Sequence, residues 1–522
     1  MKQQIIKNLS SNYLITILGM ILSFFLIPFL IKKLGKEAFG LVVLAESTIA
    51  FFEILTISIR MALSRYAAFY LAKNNKEEFV EYLSTGRSIL LIAAIIVVIT
   101  GSFLSYYFPQ IFKVPNNLNN QSRVLFLLIT SAFTIGIPNI IYWSVLYAKQ
   151  RFDLINISYS TGIVLRAVLI FIAFSFLPQT WVSLVTYGFI YISMILAQNG
   201  LVFYWHKRVM PGLEIGIKYF KQSKVKEIIS FSIDTSIGRV SSLLYDEIMN
   251  ILTNLLWGAG FNAIYAVSLK IPTLIKRLFL EPTWTLTPAF TELVAKKENE
   301  RLENLFFMYS KIVAIIIMPI CFIIICFSRQ IISCWVGRDF ELSWKIMPIH
   351  VLSLIVIIPF GVSNCLTNAF AKVKIPSRIS FLFGIVNVGL GLFLAKGLAW
   401  GLYGLAIASA VSNILNSSLF ISYYSCQIAK ISLTKFWTES FVKPFIMASI
   451  ILGSSLFFVS YEKQFQLSAV LLIDLFFISI YFFLSYRFIF NPMEKKHVNE
   501  TIESFTKSFS KSQPLILADL DT

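Results

Sequence analysis

Long apolar runs follow one another almost from end to end of this 522-residue chain, and they leave it few ways to fold. In hydrocarbon every backbone N–H and C=O must find a partner within the protein, which a helix provides by itself. A helix needs about 20 apolar residues to cross that layer. About fourteen runs qualify, centred near residues 21, 49, 98, 136, 166, 193, 240, 272, 316, 357, 386, 412, 448 and 477. The first is about 20 residues long, lacks a small-residue cleavage site and leads directly into the second, so it reads as a retained span rather than a signal peptide. Composition agrees: 57% of residues are hydrophobic, 14% are charged, and Phe alone numbers 49.

The net charge of +18 raises the question of nucleic acid, and the placement of the cations answers it. About 29 Lys and Arg fall in the N-terminus, the even-numbered loops and the tail, against about 10 in the odd-numbered loops. The excess is topological. It puts both termini in the cytoplasm, as an even number of spans requires, and no nucleic-acid partner is expected.

A repeat runs through the apolar material at an offset of about 222 residues. Gly162-Ile163-Val164 matches Gly384-Ile385-Val386, Pro138 matches Pro359, Gln110-Ile111 matches Gln330-Ile331, Ala68-Phe69 matches Ala289-Phe290, and Phe39 matches Phe261. Such identities come cheaply between apolar sequences, but their order along the chain points to a duplicated unit, the mark of a transporter. Six spans separate the copies, so both enter the membrane in the same orientation. The expected fold class is all-α integral membrane: about 14 transmembrane helices, in two parallel six-helix lobes plus two C-terminal helices.

The expected domains are a six-helix lobe over residues 1–205, a basic cytoplasmic linker over 206–226, and a second lobe over 227–430. Two additional transmembrane helices over 431–490 and a cytoplasmic tail over 491–522 follow. In the linker, Val209, Leu213, Ile217 and Phe220 recur at helical spacing. They allow either an amphipathic surface helix or a plain positive-inside linker.

Charges inside spans are costly and usually face a polar interior or a partner. Span 2 carries Glu46, Glu53 and Arg60 at seven-residue spacing, which returns each to nearly the same helix face. This stripe faces either a polar lumen or partners on neighbouring helices. Span 8, the counterpart of span 2 in the second copy, carries Lys270, Arg277 and Trp284 at the same spacing, flanked by Lys276 and Glu281. The two stripes can face each other across a central cleft, or simply close the bundle by ion pairing. Span 7 adds Asp234, Arg239, Asp246 and Glu247, and Asp474 lies near the centre of the last span. Arg166 stands in span 5 where the second copy has Val388. Its guanidinium suits phosphate oxygens or a carboxylate such as Glu46, Glu53 or Asp234. Arg60, Arg166, Arg239, Lys270, Arg277 and Trp284 are therefore the substrate candidates. Glu46, Glu53, Asp234, Asp246 and Asp474 are the candidates for a coupling ion, H+ or Na+.

An enzyme has little to stand on here. The five cysteines form no CxxC pair, and the three histidines, His206, His350 and His497, are far apart. HExxH, Walker A and GxSxG patterns are absent, and Gly258-Ala259-Gly260 lacks the third glycine of a dinucleotide site. No catalytic residue, metal or cofactor is expected.

Ser11-Asn12-Tyr13, the apolar run to Pro28, Lys33-Leu34-Gly35-Lys36-Glu37-Ala38-Phe39-Gly40-Leu41 and the stretch from Ile57 to Ala68 resemble the opening of a known family. Gly401-Leu402-Tyr403-Gly404-Leu405-Ala406-Ile407-Ala408 adds to the likeness. The family is that of Wzx-type lipid-linked oligosaccharide flippases, in the polysaccharide transporter branch of the multidrug/oligosaccharidyl-lipid/polysaccharide exporter superfamily. The resemblance implies two six-helix lobes and a cavity lined largely by spans 1, 2, 7 and 8. It also implies a substrate, an anionic oligosaccharide linked through diphosphate to undecaprenol. That substrate would cross the bacterial inner membrane by alternating access for surface polysaccharide such as O-antigen or capsule, with the polymerase and glycosyltransferases of the pathway and membrane lipids as partners. Fourteen spans rather than the more usual twelve resemble lipid II flippases, which keeps peptidoglycan precursor as an alternative. A cation-coupled drug exporter of the same fold is another, although four candidate cations argue against it.

Overall fold

The computed structural model describes residues 2–177, 183–461, 467–496 and 499, with side chains over 15–177, 183–233, 236–454, 475–496 and 499. The described residues contain helices and no strand. In chain order these are α1 (Lys2–Leu34), α2 (Lys36–Ala72), α3 (Lys76–Ile111), α4 (Asn119–Gly136), α5 (Ile140–Ala148), α6 (Phe152–Phe176) and α7 (Leu184–Val209). Then come α8 (Gln222–Asp246), α9 (Ile248–Trp257), α10 (Ala259–Phe279), α11 (Thr287–Lys296), α12 (Asn299–Cys326), α13 (Ser328–Val336) and α14 (Glu341–Phe360). The chain continues through α15 (Val362–Ala369), α16 (Lys374–Leu392), α17 (Leu402–Ile414), α18 (Ser422–Ala429), α19 (Leu433–Trp437), α20 (Lys443–Tyr461) and α21 (Leu467–Leu484).

Among the described residues, ten helical segments are long and apolar enough to cross a membrane. They coincide with ten of the expected centres. The spans expected near 240 and 272 are α8 and α10, which are helical but carry more charge. Those near 448 and 477 are α20 and α21, whose side chains are only partly described.

The duplication is visible in the backbone. Left-handed conformations recur at Gly35 and Gly258 (φ 87° and 91°), at Asn74 and Lys297 (54° and 57°), and at Gln150 and Ala371 (55° and 54°). Each pair keeps the offset of the sequence repeat. At Gly35 and Gly258 this conformation, which costs a residue with a Cβ about 1–2 kcal/mol, turns the chain into α2 and into α10.

The helices form two compact units. The first runs from the N-terminus to Leu274 and includes Arg329–His350 and Lys374–Ser412. In it α2 packs against α3, α5 and α8, and α6 lies between α1 and α7. Leu63, Tyr82, Leu90, Val97, Ile141 and Val145 belong to an apolar cluster in its core. A Cβ on Gly40 would stand 2.0 Å from the carbonyl oxygen of Ala259, so glycine lets α2 touch the backbone of α10. Asn262 seals the contact by donating to the Gly40 carbonyl at 2.9 Å. The second unit comprises Ile275–Ser328, Val351–Val373 and the chain from Asn413 onward. Its core is aromatic, with Phe306 stacked on Phe436 at 4.4 Å and Phe290 and Phe360 fully buried beside them.

The linker is not an amphipathic helix. α7 continues through Val209, a three-residue helical turn spans Ile217–Tyr219, and α8 starts at Gln222, so Val209, Leu213, Ile217 and Phe220 share no helix. Polar side chains of α3 bind the linker backbone instead. Arg87 donates to the Ile215 carbonyl at 2.8 Å, and Ser84 and Thr85 accept from Gly216 N–H (3.3 Å) and Lys221 N–H (3.0 Å). Lys221 and Lys224 pair with Glu81 and Glu78 on the same helix.

Candidate functional site

The stripe on α2 is met by cations from two other helices of the first unit. Seven residues of helix rise about 10.5 Å, so Glu46 and Glu53 form two levels along one face. At the first level Arg166 of α6 donates to Glu46 Oε1 at 2.8 Å, and the Tyr187 hydroxyl of α7 donates to the same oxygen at 2.8 Å. The guanidinium also reaches the Tyr187 oxygen and lies 5.2 and 5.3 Å from the ring centres of Tyr187 and Tyr191. At the second level Arg239 of α8 donates to Glu53 Oε2 at 2.9 Å and to Ser242 at 3.4 Å. Two turns beyond, Arg60 lies over the Trp143 ring at 5.0 Å and hydrogen-bonds with Tyr159. Ser58 shares a hydrogen bond of 2.8 Å with Ser236, tying α2 to α8 between these levels.

These pairs are neither sealed nor open to bulk water. The Arg166 and Glu46 side chains are 25% and 36% exposed, Arg239 and Glu53 32% and 42%. An ion pair left partly accessible on helices this apolar needs a wet surface, because facing hydrocarbon would cost several kcal/mol per charge. The Nε groups of both arginines are buried without a hydrogen-bond partner. Each guanidinium thus gives only part of its five N–H donors to protein partners.

Beside Glu46 on α2, Ser47 extends the first level with further polar partners. Asn250 of α9 donates to Ser47 at 3.3 Å, and Ser47 is hydrogen-bonded to Glu247, which joins α8 to α9. Asp246 ends α8 beside it and is exposed. Lys270 lies half-buried on α10 within the first unit, whereas Arg277 on the same helix and Trp284 just after it belong to the second unit and are exposed. The side chains of Asp234 and Asp474 lie outside the described residues.

Sequence reasoning singled out the charged members but not Tyr159, Tyr187, Tyr191, Trp143 or Ser242. Tyr187 and Tyr191 stand one turn apart in an apolar span, a spacing that marks a polar face only once a cation is known to lie opposite.

Among known proteins, the chain is 24% identical over 425 residues to the membrane protein EpsK of Bacillus subtilis, covering 81% of this chain and 83% of that one. It is 20% identical over 408 residues to a candidate O-antigen transporter of Shigella flexneri, covering 76% and 92%. Among solved structures, the fold is similar to an inward-facing multidrug resistance transporter of the MATE family, in the MOP superfamily. The TM-score is 0.67 at 15% identity, over 81% of this chain and 95% of that one. It is also similar to the lipid II flippase MurJ in its inward closed conformation, with TM-score 0.64 and 16% identity over 92% and 99%. Residues 5–294, more than half of the chain, match the model of the polysaccharide biosynthesis protein family, and the chain belongs to that family.

Proposed function

We propose that this protein is a flippase that moves an undecaprenyl-diphosphate-linked oligosaccharide from the inner to the outer leaflet of the bacterial cytoplasmic membrane. The product feeds surface polysaccharide such as O-antigen or capsule, both chain termini lie in the cytoplasm, and transport proceeds by alternating access. The observation that carries the reading is the pair of half-accessible arginine–glutamate levels, Arg166–Glu46 and Arg239–Glu53, on membrane helices of a polysaccharide biosynthesis family member. Cations with spare N–H donors suit a diphosphate, whose oxygens take guanidinium forks well. When the anion engages them, Glu46 and Glu53 lose their partners, and a carboxylate so released is where H+ or Na+ binds. Substrate and coupling ion are then linked through the same two pairs. Lys270 and Arg277 extend the cationic set on charge and spacing, and Asp246 extends the acidic one.

The test is transport of a fluorescent undecaprenyl-diphosphate oligosaccharide in proteoliposomes, read by quenching from one side. Wild type should flip it, and Arg166→Ala and Arg239→Ala should lose flipping by at least about tenfold while inserting normally. Transport by both variants at the wild-type rate would refute the site. A lipid II flippase is the second reading, favoured by the MurJ likeness, which extends over 92% of this chain against 81% for the MATE transporter. Depletion separates the two, since loss of a lipid II flippase lyses the cell and loss of a surface-glycan flippase removes only the glycan.

A further inference from the structure

A second site stands apart from the arginine–glutamate levels, entirely within the second unit. A groove of about 650 Å³ opens beside Trp284 and is walled by Pro288, Thr291 and Glu292 of α11 and by Asn368 of α15. It is shallow and open, and Thr287 and Ala295 complete its wall.

Trp284 is the unusual member. Its indole is 50% exposed, although α11 right after it buries Phe290 and Leu293 in the aromatic core. An apolar core lies within reach, and this large side chain stays out of it. The backbone beneath is fixed, because the Thr283 carbonyl accepts the Cys365 thiol at 3.2 Å and the Thr283 hydroxyl donates to the Leu280 carbonyl at 2.6 Å. An outward-facing indole carried on a fixed backbone is a platform for a ligand.

The polar atoms around it say what the platform takes. Asn368 spends one amide N–H on the Asn364 carbonyl at 2.7 Å, which leaves its carbonyl oxygen and a second N–H for a ligand. The Thr291 hydroxyl donates to the Thr287 carbonyl at 2.7 Å and so presents lone pairs outward. Glu292 holds Lys296 with one oxygen at 2.5 Å and keeps the other. Both members of that pair are more than half exposed, which marks this face as wet rather than lipid-facing. The groove thus offers an aromatic face, three acceptors and a donor, and the one charge on its wall is negative. A phosphate is disfavoured there. A neutral polyhydroxylated ring, with a C–H face for the indole and hydroxyls for the acceptors, fits each of these groups.

We propose that Trp284, Thr291, Glu292 and Asn368 form a saccharide subsite that holds a pyranose of the cargo apart from its diphosphate. That a saccharide arrives there rests on the flippase reading; that the groove binds one does not. The positive-inside assignment puts this end of α10 and α11 on the cytoplasmic side, where an oligosaccharide would be captured.

The test is saturation-transfer NMR on the full chain in nanodiscs. The probes are methyl glycosides of glucose, galactose, rhamnose and N-acetylglucosamine at millimolar concentration, with farnesol as a chain-mimicking competitor. At least one glycoside should receive saturation at its ring C–H protons. The signal should fall about fivefold to tenfold in Trp284→Ala, return largely in Trp284→Tyr, and weaken in Asn368→Ala. No transfer from wild type, equal transfer from Trp284→Ala, or displacement by farnesol would overturn the proposal. Transport does not enter this readout. A chain that binds glycosides at Trp284 but fails to flip refutes the flippase alone, and one that flips with glycoside signals unchanged in Trp284→Ala refutes the groove alone.

Discussion

Lys311, thirteenth residue of α12, should hold the segment after α21 in place. Its ammonium donates to both oxygens of Glu494, at 2.9 and 3.0 Å, and to the Ile489 carbonyl at 3.5 Å. The two side chains are 4% and 8% exposed. Glu494 also closes a reciprocal turn, accepting from Asn491 N–H while its own N–H donates to Asn491 Oδ1, both at 2.8 Å. Lys311→Met keeps most of the side-chain volume and removes the charge, which strands a buried carboxylate with one backbone donor. Breaking one side of a buried pair costs about 3–5 kcal/mol, whereas replacing both sides is often neutral or stabilising. The cheapest escape is local: the segment around 491–496 peels away and Glu494 reaches water. Its opening constant should rise at least about a hundredfold in Lys311→Met and return toward wild type in Lys311→Met/Glu494→Leu. Hydrogen exchange of peptides covering 485–496, with limited proteolysis in detergent, measures this. Wild-type exchange in Lys311→Met, or equal loss of protection in single and double variants, would refute the reasoning.

Gly40→Val should lower the thermal midpoint and expression sharply, since its side chain must displace the Ala259 backbone, whereas Gly19→Ala, with nothing within 4 Å, should be silent; fluorescence-detected melting compares them. If the cationic set carries the substrate, Arg166→Ala and Arg277→Ala should abolish surface glycan with the protein still inserted, and normal glycan in both would exclude that role. If Glu53 couples transport to protons, Glu53→Gln should flatten the pH dependence of flipping in proteoliposomes. Lys296 holds the Glu292 carboxyl below its usual range, so this group stays ionised until pH falls below that range. Glycoside binding should therefore be flat from about pH 5 to about pH 8, and a loss near pH 5 would show that another group titrates.

Some of the site was legible in advance because it depends on spacing along a single helix. Glu46, Glu53 and Arg60 had to share a face of α2 once the span was recognised. For Arg166 the sequence offered three carboxylates, Glu46, Glu53 and Asp234, without choosing among them, and the other partners were not legible. Arg166 is 120 residues from Glu46, Arg239 is 186 from Glu53, and Lys311 is 183 from Glu494. Glu494 lies in a polar segment with no apolar period to announce that it is buried. The linker shows the opposite error: Val209, Leu213, Ile217 and Phe220 have helical spacing, but hydrogen bonds donated by Arg87 and accepted by Ser84 and Thr85 outweigh it and tie the chain to α3.

The sequence by itself determined the membrane class, about fourteen apolar runs of which ten coincide with described helices long and apolar enough to cross a membrane, and a duplication whose trace survives as paired left-handed turns at Gly35 and Gly258. These are local properties, set by hydrophobic run length and by the φ a residue tolerates. Only the tertiary structure decided which cation each carboxylate meets, how Trp284 stays outside the core, and where the tail is anchored. Periodicity fixes the direction of a side chain about its own helix axis. It is silent on how neighbouring helices are rotated and how closely they approach, and contacts such as Gly40 against Ala259 settle that.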